Sequence, residues 1–160
     1  MSRAKALSRS ALRAFPLPAQ EDGGKDEHGR LLVVAGSRQV PGAAILAARA
    51  ALRTGAGKVR VATVAGVAPP LALQMPELFV VPLAEARNGG CGRASVQQAA
   101  KQAQMMDAVV AGPGMRHGSA EAGIAKALLR SGKPVALDAG LLHCLAPVAA
   151  ESRAAAIPPN

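Results

Sequence analysis

Tryptophan and tyrosine are absent from this 160-residue chain, and only Phe15 and Phe79 represent the large aromatics. So little ring surface leaves unpaired bases nothing to stack on, which argues against a single-strand nucleic-acid binder. The two cysteines, Cys91 and Cys144, stand far apart without a CxxC pair. That excludes a disulfide framework and a zinc knuckle, and it suits a reducing cytoplasm. No apolar run reaches the roughly 18 residues of a membrane span, because charges interrupt each candidate stretch. Acids are scarce as well: 10 Asp and Glu face 19 Lys and Arg, for a net charge of +9. The basic residues are scattered singly, so they read as a solubilising surface with some attraction for phosphorylated small molecules. Ser, His and Asp do not fall into a triad order. His28, His143, Cys91 and Cys144 make no recognisable metal or nucleophile constellation.

The amino terminus, MSRAKALSRSALRAF, is basic, lacks acids and has no secretory apolar core. It shares those traits with transit peptides. The plainer reading is an amphipathic helix whose Leu7, Ala11, Leu12 and Phe15 share one face, ended by Pro16 and Pro18. Residues 19–30, AQEDGGKDEHGR, then read as a linker, which divides the chain into residues 1–30 and a domain over residues 31–160.

Half of the residues are apolar, enough for one domain with a real core. Residues 31–64, LLVVAGSRQVPGAAILAARAALRTGAGKVRVATV, hold one complete strand–helix–strand unit. Pro41 sits in the opening turn of the helix, where its missing N–H costs little, and Gly55 stops it. Ile45 and Leu52, helped by alanines, are expected on its buried face, with Arg49 and Arg53 outside. The TGAGK segment at residues 54–58 follows a helix rather than a strand, so it reads as a helix stop and not as a phosphate loop. Further strands are expected at residues 78–83, 107–112 and 133–140, and further helices at residues 67–75, 94–106, 119–130 and 141–145. Residues 85–93 are the most loop-like internal stretch. Alternating strands and helices predict an α/β fold, a three-layer α/β/α sandwich around a mainly parallel sheet. The end, AAAIPPN at residues 154–160, reads as a strand entering a turn with nothing after it, so the expected domain is truncated.

In such sheets ligands gather where strands end and turns lead into helices. Three turns qualify. AGSRQVPGAA (residues 35–44) places Gly36, Ser37 and Gly42 where small residues let backbone N–H groups approach a polar or anionic ligand. No Gly-Lys-Ser/Thr follows, so it is not a Walker A loop. AGPGMRHG (residues 111–118) brackets Pro113 with Gly112 and Gly114, one residue too long for a nicotinamide Rossmann fingerprint. His117 could donate to a ligand there, although a lone loop histidine is more often simply solvated. ALDAGLL (residues 136–142) ends a strand with Asp138, which could hold a ligand hydroxyl, assist a metal through water, or cap the next helix. Capping is the plainer role for Asp138 taken alone.

These turns carry a resemblance. HGRLLVVAGSRQVPGAAILAARAALRTGAGKVRVATV, MPELFVVPL, DAVVAGPGM and KPVALDAGLL, in that order and spacing over most of residues 29–142, resemble the ADP- or ATP-dependent NAD(P)H-hydrate dehydratases. The resemblance implies a ribokinase-like fold. It implies a lyase that repairs nicotinamide cofactors, dehydrating the S epimer of hydrated NADH or NADPH with ADP or ATP as co-substrate and Mg2+. Relatives are commonly homo-oligomers. Carried over by position, Ala43, Gly112 and Gly114 match residues that contact the hydrated dinucleotide, and Gly42 and Asp138 join them as substrate-binding candidates.

Two departures accompany it. Arg116 stands where many relatives have the last glycine of Gly-Pro-Gly-Leu-Gly, and Gly140 replaces the second acid of Asp-Ala-Asp. The family's catalytic aspartate, in a Gly-Thr-Gly-Asp helix start, its Thr-Pro-His loop and its nucleotide-binding lysine segment do not occur in these residues. No catalytic residue is therefore assigned, and the chain reads as the dinucleotide-binding first half of a catalytic domain, inactive alone. Two further readings stay open: a ribokinase-like vitamin or sugar kinase, since fold alone does not choose, and a non-catalytic fragment.

Overall fold

A computed structural model of the chain describes residues 8–14, 24 and 28–145, the side chains of residues 144 and 145 excepted. Five strands form one sheet: β1 (Arg30–Val34), β2 (Lys58–Val64), β3 (Phe79–Leu83), β4 (Ala108–Ala111) and β5 (Val135–Leu137). Their spatial order is β3-β2-β1-β4-β5, and every neighbouring pair runs parallel. The chain moves outward from β1 to β3, returns across the sheet to β4, and moves outward again to β5. A switch point therefore lies between the ends of β1 and β4.

Five α-helices accompany the sheet: α1 (Arg9–Arg13), α2 (Gly42–Arg53), α3 (Ala68–Gln74), α4 (Ser95–Gln104) and α5 (Ser119–Leu129). A 3-10 helix, Ala139–Leu145, closes the described part. Alternation along each strand sorts the core into two halves. Val33, Val59 and Val61 pack with α2 and α3 on one face, while Leu32, Val34, Ala62 and Val64 meet α4 and α5 on the other. The three-layer α/β/α sandwich is thus present.

Details depart from the expectation. The buried face of α2 is built by Ala44, Ala48 and Ala51, with Ile45 and Leu52 only half-buried. Alanines at this spacing let the helix lie close on the valines of the sheet, which leaves the longer side chains at the margins. Strand β5 keeps three residues of the expected eight because its far side has no partner among the described residues. The residue 54–58 segment stops α2 as expected: Gly55 adopts φ +95°, and the Ala56 N–H donates back to the Ala51 carbonyl at 3.1 Å. Helix α1 forms at the expected place, capped by the Ser8 hydroxyl on the Ala11 N–H, but Ala11 and Leu12 are exposed. Leu7 and Phe15 of that expected face, most of the linker, and the strand expected at residues 154–160 lie outside the described residues.

Candidate functional site

Strands β1 and β4 end side by side, and their turns are laced together by main chain. The Gly112 N–H donates to the Val34 carbonyl at 3.0 Å, and the Gly36 N–H donates to the Pro113 carbonyl at 2.8 Å. Packing here leaves no room for side chains. A Cβ on Gly114, where φ is +68°, would stand 2.6 Å from the Ala43 Cβ and 2.8 Å from the Val40 carbonyl oxygen. On Gly112, at φ +123°, it would collide with the Asp138 carbonyl oxygen. Both glycines are obligatory on two counts, backbone conformation and space.

The same contacts join the third turn. The Asp138 N–H donates to the Ala111 carbonyl at 2.9 Å, and its own carbonyl accepts from Leu141 at 3.1 Å. Ala43, Gly112, Gly114 and Asp138 are therefore neighbours at one rim, although the sequence spreads them over three turns. Gly42 opens α2 at the same rim and faces open space. The N–H groups of Gly42, Ala43 and Gly114 have no acceptor among the described residues. With the dipole of the 12-residue α2, they make the rim electropositive. The Gly112 N–H is already engaged, so that residue provides space rather than a donor. Asp138 does not cap the helix: its carbonyl closes the first 3-10 turn, but its exposed carboxylate takes no hydrogen bond from the described residues. That correction leaves its oxygens open toward solvent.

A loop from the far side of the sheet braces the first turn. The Arg38 N–H donates to the Gly89 carbonyl at 2.9 Å, the Gln39 amide donates to the Asn88 carbonyl at 3.0 Å, and Arg38 pairs with Glu85. Glu85 in turn accepts from the Gly66 N–H at 2.7 Å. Beneath this loop the buried Glu121 accepts from the Cys91 N–H at 3.0 Å. Burial first, then the Glu121 charge, push the Cys91 thiol up to about 12, so it is inert as a nucleophile. Asn88, Cys91, Arg93, Val96, Gly118 and Glu121 are among the residues bordering a cavity of about 460 Å3 here.

Reading the sequence missed this brace. Glu121 was visible as an acid in the first turn of a helix, but its partner lies thirty residues away. Also missed was Thr63; like Ser37 of the first turn it is 1% exposed, and neither hydroxyl finds a hydrogen-bond partner among the described residues. His117 is exposed, as expected, but it is not alone, since its ring meets that of His143. The side chain of Cys144, which beside Leu145 reads as core from the sequence, lies outside the described residues. No group of three or more His, Cys, Asp or Glu gathers to hold a metal among the described residues, and no described helix is long and apolar enough to cross a membrane.

The family model for NAD(P)H-hydrate dehydratase matches residues 31–159. The chain belongs to the NAD(P)H-hydrate dehydratase family. It is 46% identical over 142 residues to the ADP-dependent (S)-NAD(P)H-hydrate dehydratase of Xanthomonas campestris, covering 88% of this chain and 48% of that protein. It is 36% identical over 132 residues to a bifunctional NAD(P)H-hydrate repair enzyme of Moorella thermoacetica, covering 81% of this chain and 25% of that one. Among solved structures, the ADP/ATP-dependent NAD(P)H-hydrate dehydratase of Bacillus subtilis, co-crystallised with ATP/Mg2+, superposes with a TM-score of 0.66 at 29% identity. That match covers 84% of this chain and 46% of that one. A ribokinase-like protein of Enterococcus faecalis, TM-score 0.67 at 24% identity over 86% of this chain and 46% of that one, shares the fold. This dehydratase-family chain thus spans about half the length or less of these relatives. The ribokinase-like α/β fold is established on both sequence and structure.

Proposed function

We propose that this chain serves the dehydration of (S)-NADH or (S)-NADPH hydrate at the expense of ADP or ATP, supplying the half of the site that holds the hydrated dinucleotide. The observation carrying this reading is the glycine-walled rim at the switch point, where Ala43 and Gly114 nearly touch. Unengaged N–H groups on Gly42, Ala43 and Gly114 suit the anionic and polar parts of a dinucleotide. Gly112 keeps the main chain close, and the open Asp138 carboxylate suits a ribose or hydrated-ring hydroxyl. Water loss needs a general base and a group activated by phosphoryl transfer. None of the described residues is assigned either part, and the family's Gly-Thr-Gly-Asp segment is not among these 160 residues.

Mg2+ is normally held by one or two carboxylates together with substrate phosphates. No group of three or more His, Cys, Asp or Glu gathers to hold a metal among the described residues, and no step is routed through the ion. The substrate class is a small molecule rather than nucleic acid or membrane, the setting is cytoplasmic, and homo-oligomeric assembly belongs to the same reading.

Calorimetry with hydrated NADH tests the reading. Binding by the chain, weakened in Gly114→Ala, supports it; no binding, or equal binding by both, removes it. In a parallel assay with hydrated NADH and ADP the chain alone is expected to give no turnover. Robust conversion would show that a base is present after all. Phosphoryl transfer from ATP to a hydroxymethyl compound, with no action on hydrated NADH, would favour a kinase.

A further inference from the structure

The β4–α5 turn and the 3-10 helix bring two histidines together at the carboxyl edge of the sheet. The rings of His117 and His143 stand 4.3 Å apart between centroids and are tilted by 59°. Both side chains are exposed. Their meeting is fixed by backbone packing, because Gly140 sits so close to the turn that a Cβ there would stand 2.6 Å from the Met115 carbonyl oxygen. Arg116, next to His117, has its Cδ over Gly90 in the bracing loop.

We propose that His117 and His143 form a two-imidazole site for a borderline divalent transition-metal ion, Ni2+ or Cu2+ by preference. Imidazole nitrogen is the commonest protein ligand for such ions, whereas Mg2+ prefers hard oxygen. An ion about 2 Å from each ring nitrogen would see two centroids at this separation across roughly a right angle. That is a cis arrangement, which suits tetragonal Ni2+ or Cu2+ better than tetrahedral Zn2+. No third His, Cys, Asp or Glu joins them among the described residues, so water completes the shell. A bound ion would staple the β4–α5 turn to the 3-10 helix beside Gly112 and Asp138, stiffening the rim. The site stands apart from the dinucleotide reading and survives its failure.

The test is calorimetric titration of the untagged chain with NiCl2, with MgCl2 in parallel. One equivalent of Ni2+ is expected, with no Mg2+ response. His117→Ala and His143→Ala should each weaken Ni2+ binding roughly tenfold or more, and circular dichroism should stay unchanged because both side chains are exposed. His28→Ala and Cys144→Ser should bind as the parent does. Absence of Ni2+ uptake, parent-like binding by either rim variant, or loss of binding in Cys144→Ser would each overturn the proposal.

Discussion

The two edges of the sheet are held by different means. At the amino edge Arg30 and Asp107 clip the starts of β1 and β4 with side chains. The guanidinium donates at 2.8 and 3.1 Å, the Arg30 N–H adds a further bond at 2.8 Å, and both groups are 46% exposed. At the carboxyl edge the same two strands are tied by main chain, with glycines at positive φ and no slack for a methyl group. Side chains in water can be exchanged at small cost, while crowded backbone cannot. Helix amino termini and the strand-to-helix turns that lead into them gather at the carboxyl edge of a parallel sheet, so the rigid edge is also the one a ligand meets.

The largest expected effect is at Gly112. Replacing it by alanine should cost about 3 kcal/mol or more, since left-handed strain adds to a clash with the Asp138 carbonyl. Urea unfolding measures it, and a variant as stable as the parent would erase the contrast between the edges. Gly114→Ala should cost about 2 kcal/mol, since left-handed strain adds to shallower clashes with the Ala43 Cβ and the Val40 carbonyl. A cost in stability without a cost in dinucleotide binding would separate the wall from the site. Gly42→Ala marks the limit of that crowding: nothing lies within 4 Å of the added Cβ, so a helix-forming gain of about 0.5 kcal/mol should appear as a raised Tm.

The smallest effect is expected at the amino edge. Hydrogen bonds from Arg30 draw the Asp107 carboxyl down from its ordinary 3.8 to about 2. A depressed carboxylate stabilises the fold above its unfolded pKa and loses that contribution as pH falls through the folded one. The clip is therefore complete above about pH 4 and gone below about pH 2. Asp107→Asn should remove this part of the acid transition followed by circular dichroism, and superimposable curves would show that the exposed pair contributes nothing. A small effect here beside a large one at Gly112 sharpens the comparison.

Much of this was legible in the chain itself. Apolar runs punctuated by Gly and Pro marked five strands and the helices between them, because burial on both faces demands continuous valine-rich segments. The motifs at Gly42, Ala43, Gly112, Gly114 and Asp138 could be read as three strand-end turns, since strand–turn–helix order is local. Their convergence could not, because it depends on β4 crossing the sheet to lie beside β1. The pairing of His117 with His143 and the burial of Glu121 under Cys91 were invisible for the same reason. That the Asp138 carboxylate stays open at the head of the 3-10 helix was likewise not legible locally, where the pattern pointed to a cap. Local pattern determined the kinds and order of elements, as propensity and hydrophobic period act over a few residues. Which turns meet, and which glycines have no alternative, was decided by close packing between segments distant in sequence.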